Sequence, residues 1–205
     1  METKKIRAFL LLFCFLCMAG TGAYAQNADI NILKKINLER NRSLDGGMKF
    51  ITNSSEPLSL VLTAGILAKG YLSKNREYKN KGWEMAASGA TAFVLAQGMK
   101  IIINRSRPIV KYPFIDAYDR SLTQHSFPSG HTTAAFNTAT TLSLEFKKWY
   151  IVVPAYLWAA TVGYSRLHLG VHYPSDVLAG AITGAGSAYL THKIYNWYLH
   201  KKQKR

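Results

Sequence analysis

The chain has 205 residues, room for one domain and hardly for two. Its only cysteines, Cys14 and Cys17, lie near the N-terminus, so the rest of the chain has no disulfide, thiolate nucleophile or cysteine metal site. A hydrophobic share of 48% with a formal net charge of +15 leaves two readings: a nucleic-acid binder, or a membrane protein whose basic residues collect in its cytoplasmic loops.

The N-terminus opens with Lys4, Lys5 and Arg7, continues in a short apolar run, and reaches the small-residue pattern Ala23-Tyr24-Ala25. That is the form of a secretory signal peptide over 1–25, cleaved before Gln26. Both cysteines fall inside it. Residues 26–56 are polar and mixed, and Ile30, Leu33, Ile36 and Leu38 recur at near-helical spacing ahead of Gly46-Gly47. This pattern predicts one amphipathic helix, packed on the body of the protein, with the glycine pair as its break. Residues 57–205 then form a membrane-embedded domain. Five apolar segments, roughly 57–73, 83–103, 130–146, 149–165 and 177–198, have the length of membrane helices, although Lys69, Glu84, Lys100, His131 and His192 interrupt or edge them. The expected fold is therefore all-α: an integral membrane bundle of about five transmembrane helices plus the N-terminal helix.

Loop charge orients the bundle. The basic stretches 73–82, 146–149 and 200–205 follow the first, third and fifth spans, which puts them all on the cytoplasmic side. The connections 104–129 and 164–176 then face the periplasm, and they hold nearly all the reactive side chains. Within 180–186, "GAITGAG" reads as helix–helix packing rather than a phosphate loop.

Three clusters carry the chemistry: "KIIINRSRP" with Lys100, Arg107 and Pro108; "FPSGHTTAA" with Ser129, Gly130 and His131; and "YSRLHLGVHYPSD" with Ser165, Arg166, His172 and Asp176. Lys100, Arg107 and Arg166 are cations at the outer ends of spans, where an unpaired charge is costly. Asp116, Asp119 and Asp176 are the acids of the outer loops, too few to pair them all, so an anion is implied. Arginine grips phosphate with a two-pronged fork and lysine adds a compact charge. Ser129 and Gly130 start a helix whose free N–H groups face an anion, and the Ser129 hydroxyl either caps the helix or donates to that anion. Asp176, four residues after His172, is within reach of Nδ1–H, which would leave Nε2 free to attack. His131, on another helix, is placed to protonate a leaving oxygen. His168 has no acid four residues on and lacks the further ligands a metal pair needs. His125 is unassigned, and Tyr112, Phe114 and Tyr118 line either the loop or an apolar rim.

The order Lys-x6-Arg-Pro, Pro-Ser-Gly-His, Ser-Arg-x5-His-x3-Asp resembles the signature of the type 2 phosphatidic acid phosphatase superfamily, which also holds the vanadate-dependent haloperoxidases. The match runs from Lys100 to Asp176 with no departure. The resemblance implies a phosphohistidine on His172, oriented by Asp176, with His131 as general acid. Lys100, Arg107, Ser129, Gly130 and Arg166 would hold the phosphoryl oxygens, with no metal and no cofactor. It implies a lipid phosphate and the membrane as partners, without nucleic acid, in a bacterial inner membrane with the site facing the periplasm. The expected substrate is the 4′-phosphate of lipid A; undecaprenyl diphosphate and phosphatidylglycerol phosphate are the alternatives. A haloperoxidase and a non-catalytic lipid-phosphate binder are the more distant ones.

Overall fold

A computed structural model describes residues 23–121 and 125–203, and they are helical with no strand among them. Almost all of the expected signal peptide lies outside the described residues. The helices are α1 (Ala23–Leu38), α2 (Asp45–Asn53), α3 (Ser55–Leu72), α4 (Arg76–Ile103), α5 (Pro108–Lys111), α6 (Gly130–Phe146), α7 (Trp149–His168) and α8 (Pro174–Gln203).

Helix α1 packs on the body through a narrow stripe. Ile30 and Leu33 are buried against Ile115 and Tyr173, while Ile36 is half-buried and Leu38 exposed. Asn37 replaces the missing apolar contact. Its Nδ2 donates to the carbonyls of Asp116 and His168 at 3.0 Å, and its Oδ1 accepts from Asp116 N at 2.9 Å. The expected break at Gly46-Gly47 does not occur: both glycines sit in the first turns of α2, and α1 has already ended at Leu38. The reason is side-chain chemistry. Arg40 donates to the Asn37 carbonyl at 2.9 Å, closing the end of α1, and pairs with Asp45 at the start of α2. An acid at a helix N-terminus suits the dipole there.

The basic stretch 73–82, expected to be a connection, is mostly helix. Asn75 caps α4 by accepting from Glu77 N at 2.9 Å and Tyr78 N at 3.2 Å, so the charged residues after it continue as helix rather than loop. At its other end α4 stops at Asn104, whose left-handed φ of 43° turns the chain toward the site. Proline opens both α5 and α8, where its missing N–H costs nothing. The basic tail likewise continues α8 as far as Gln203.

Helix α6 is the centre of the bundle, packed on α4, α7 and α8. A Cβ on Gly180 would lie 2.7 Å from the Ser129 carbonyl, and one on Gly184 would overlap the Thr133 carbonyl. The 180–186 stretch is thus a close-packing seam, as expected. Asn137 ties it together, donating to Ser88 Oγ at 2.7 Å and Ser187 Oγ at 3.0 Å. The outer surface is strongly apolar: Phe93, Ile101 and Ile102 on α4, Leu157 on α7, and Leu178 and Trp197 on α8 are all exposed. Contiguous exposed apolar surface of this kind belongs against lipid rather than water. Among the described residues, Arg76–Lys111 is the stretch long and apolar enough to cross a membrane by length and composition.

Candidate active site

Six of the eight expected site residues line one cavity of about 490 Å³: Lys100 from α4, Arg107 ahead of α5, Gly130 and His131 from α6, Arg166 from α7, and His172 from the turn before α8. Ser129 and Asp176 stand directly behind them, both fully buried. The fold collects these groups because each lies within a turn of a helix end on the same side of the bundle.

The cationic side of the cavity is well defined. Among the described residues, neither Lys100 nor Arg166 forms an ion pair with a carboxylate. Arg166 is 6% exposed; its Nη1 donates to Thr52 Oγ1 at 3.0 Å, and its buried Nε finds no hydrogen-bond partner. Arg107 donates through Nη1 to the Val171 carbonyl at 3.1 Å and to His172 Nε2 at 3.3 Å. Lys100 Nζ lies 3.5 Å from the place a Cβ would take on Gly130, so the ammonium stands beside the start of α6. A buried donor left unsatisfied and several cations converging on one cavity together suit an oxyanion.

The histidine has a defined tautomer. A guanidinium only donates, so His172 Nε2 is the acceptor and Nδ1 carries the proton. That is the form in which Nε2 holds the ring's lone pair, beside Arg107 at the cavity lining. Burial pushes this imidazole, in the turn between α7 and α8, down to about 4; Asp176 opposes the shift, while Arg166 and Arg107 add to it. Nδ1 is 3.4 Å from Asp176 Oδ2 but is not aligned for a hydrogen bond. The expected reach of the carboxylate is thus an electrostatic contact. The same Oδ2 accepts from Tyr173 N at 3.0 Å, which fixes the carboxylate. Ser129 does not cap α6 through its side chain. Its N–H donates to the Asp176 carbonyl at 3.0 Å, and its Oγ accepts from Thr132 Oγ1 at 2.9 Å, so the serine joins the starts of α6 and α8.

Other expectations are revised. Tyr112, Phe114 and Tyr118 do not line the cavity: Tyr112 stacks edge-on against Tyr173, and Tyr118 receives Lys49 over its ring at 4.7 Å. His168 has a carboxylate after all, but from across the fold: Nε2 lies 2.8 Å from Asp45 Oδ1 and makes a strut between α7 and α2. His125 contacts the Lys100 carbonyl through Nδ1 at 3.2 Å, which steadies the end of α4. Four contributors escape the sequence patterns. Thr52 holds Arg166, Glu56 lines the cavity, and Arg105 and Asp29 stand behind Asp176. For Arg105 a signal was present: it is a third arginine-or-lysine position in the first cluster, two residues before Arg107.

Residues 81–199 match the family model described as the PAP2 superfamily. The chain is similar to an undecaprenyl-diphosphatase of Sulfolobus acidocaldarius, 28% identical over 91% of this chain and 87% of that protein. A lipid A 4′-phosphatase of Bacteroides thetaiotaomicron is 43% identical over 68 residues, which cover 33% of this chain and 30% of that one. A lipid A 1-phosphatase of Porphyromonas gingivalis is 33% identical over 87% of this chain but 39% of its own length. Among solved structures, the transmembrane PAP2 type phosphatidylglycerolphosphate phosphatase of Bacillus subtilis superposes with a TM-score of 0.73 at 27% identity, covering 91% of this chain and 94% of that one.

Proposed function

Because this chain belongs to the PAP2 superfamily and is a phosphatase of that class, we propose that it hydrolyses a lipid phosphate monoester through a phosphohistidine on His172. The observation that carries this reading is the convergence of Lys100, Arg107 and Arg166 on the cavity that His172 also lines. In this mechanism the three cations, Ser129 and the Gly130 N–H hold the phosphoryl oxygens. Nε2 forms the N–P bond as the P–O bond to the lipid breaks. His131 gives its proton to the departing alkoxide, then accepts one from water as the water attacks phosphorus and restores His172. Asp176 keeps the proton on Nδ1 and balances the imidazolium charge. The cations stabilise charge on the equatorial oxygens, where most of the rate enhancement of phosphoryl transfer arises. Phosphate release from phosphatidic acid by the purified chain tests the reading; a His172→Ala chain with wild-type turnover overturns it.

The arrangement we favour has about five transmembrane helices, the N-terminal helix packed on them, and the site at the periplasmic face of a bacterial inner membrane. The basic segments at the opposite end of the bundle support that orientation. For the substrate we favour lipid A, at its 4′-phosphate. The 43% identity to the Bacteroides protein supports it, and the Porphyromonas likeness makes the 1-phosphate the other position to test. The Sulfolobus likeness favours undecaprenyl diphosphate as the second reading. Mass spectrometry of lipid A from a deletion strain separates these: an unchanged phosphate count removes lipid A, and the position of any retained phosphate distinguishes 1 from 4′.

A further inference from the structure

We infer that Arg105 is a positioning residue for the His172–Asp176 pair, and that Asp29 makes the N-terminal helix part of the same machinery. The inference rests on the reading of His172 as nucleophile. Asp176 is fully buried, and a buried carboxylate needs an ionic partner. His172 does not satisfy it, at 3.4 Å and out of alignment. Arg105 does: its Nη1 donates to Asp176 Oδ1 at 2.7 Å and to Ser175 Oγ at 2.7 Å. Its guanidinium also lies over the Tyr173 ring, 3.9 Å from the centroid. One arginine therefore grips three of the four residues from Tyr173 to Asp176, the turn that leads from His172 into α8.

Asp29 holds the arginine from the other side. Its Oδ2 accepts from Arg105 Nη2 at 2.8 Å, and its Oδ1 accepts from Ser175 N at 2.9 Å. Ser175 Oγ donates to Oδ2 as well. The result is an alternating series, Asp29–Arg105–Asp176, that ends at the nucleophile. Helix α1 is docked independently by Leu33 in the core and Asn37 on α7, so loss of the Asp29 charge leaves the helix in place. Arg105 and Arg107 share one non-helical segment and divide the work: Arg107 faces the imidazole from the cavity, and Arg105 faces the carboxylate from behind.

The charged and titratable groups that face His172 are Asp176 of α8, Arg107 before α5, Arg166 of α7, and Lys100 and His131 across the cavity. Arg105 and Asp29 act on it through Asp176. Arg105 draws charge from the carboxylate, and Asp29 draws charge from Arg105. Removing each therefore moves the acid limb of the pH–rate profile in opposite directions, a signature that lost packing does not produce.

The test uses the full chain in detergent, with phosphatidic acid micelles as the probe, and compares Arg105→Gln, Arg105→Lys and Asp29→Asn. Arg105→Gln is expected to lower kcat by about 10- to 100-fold with KM changed less than about threefold, and to move the acid limb of kcat/KM to higher pH. Arg105→Lys recovers part of kcat. Asp29→Asn, nearly identical in shape, moves the limb to lower pH and carries the test alone if Arg105→Gln does not fold. Limbs that stay put, limbs that move together, or a loss confined to KM overturn the inference while the phosphatase reading stands. A wild-type chain without turnover removes both.

Discussion

The two ends of the bundle gather charge in opposite ways. At the cavity end, Lys100 and Arg166 line one cavity with no carboxylate paired to either among the described residues, and Arg107 meets a histidine. At the far end, about 24 Å along α4 from Lys100, Glu84 meets His192. There Glu84 Oε1 lies 2.7 Å from His192 Nδ1, and Glu145 Oε1 lies 3.2 Å from the same atom. Both ends place ionisable groups where they are costly. The far end answers its own groups by hydrogen bonds, and none of its three residues lines the cavity. The cavity end leaves a buried donor, Arg166 Nε, without a hydrogen-bond partner. Buried charge is therefore a poor marker of a site; several cations gathered on one cavity, with a buried donor left unsatisfied, is a better one.

The sharpest way to break this contrast is at His172. His172→Ala is expected to lower kcat/KM by about a thousandfold or more, since the proposed N–P bond forms on its imidazole, and residual turnover near wild type refutes the assignment. Next is Arg166→Ala, expected to cost about 10²- to 10³-fold in kcat. Arg166→Lys recovers only part of it, because an ammonium does not reproduce the two-pronged grip; full recovery by lysine would reduce Arg166 to a point charge.

A subtler effect is the pH profile. With its folded value lowered to about 4, His172 is neutral at pH 7 and gains a proton only as pH falls toward that value. After allowance for the substrate phosphate, which itself gains a proton near pH ~6, the acid limb of kcat/KM lies below about pH 5. A limb at the ordinary histidine value contradicts the burial of the ring. The smallest expected effect on turnover is at the far end. His192→Ala should leave kcat per folded molecule unchanged while lowering stability by about 1–3 kcal/mol in a detergent unfolding experiment, because Glu84 and Glu145 lose their shared partner. A loss of kcat there would link the two ends and dissolve the distinction.

Much of the site was legible in the sequence, and the reason is spacing. Lys100 and Arg107, Ser129 and His131, and Arg166, His172 and Asp176 fall into short local patterns whose chemistry is readable residue by residue. What closes the site was not legible. Thr52 reaches Arg166 across 114 positions, and Asp29 reaches Ser175 across 146. No local pattern records such a contact. The helical character was readable from apolar lengths, but the ends were not. Charge in 73–82 suggested a connection, whereas the Asn75 cap makes most of it helix. Gly46-Gly47 suggested a stop, whereas the Arg40–Asp45 pair sets the boundary earlier. In both places the bonds of one or two side chains outweighed composition.

The glycine seam between α6 and α8 has a consequence for how this molecule can change. With Gly180 against the Ser129 carbonyl and Gly184 against that of Thr133, the wall carrying the start of α6 has no room to shift. The α3 wall is different: Glu56, Ser59 and Leu60 line the same cavity, and no glycine of α3 is pressed against α6. One wall is a fixed jaw and the other an adjustable one. Substitutions on α3 can refit the cavity to a lipid of another size or polarity while the chemistry opposite them stays in register.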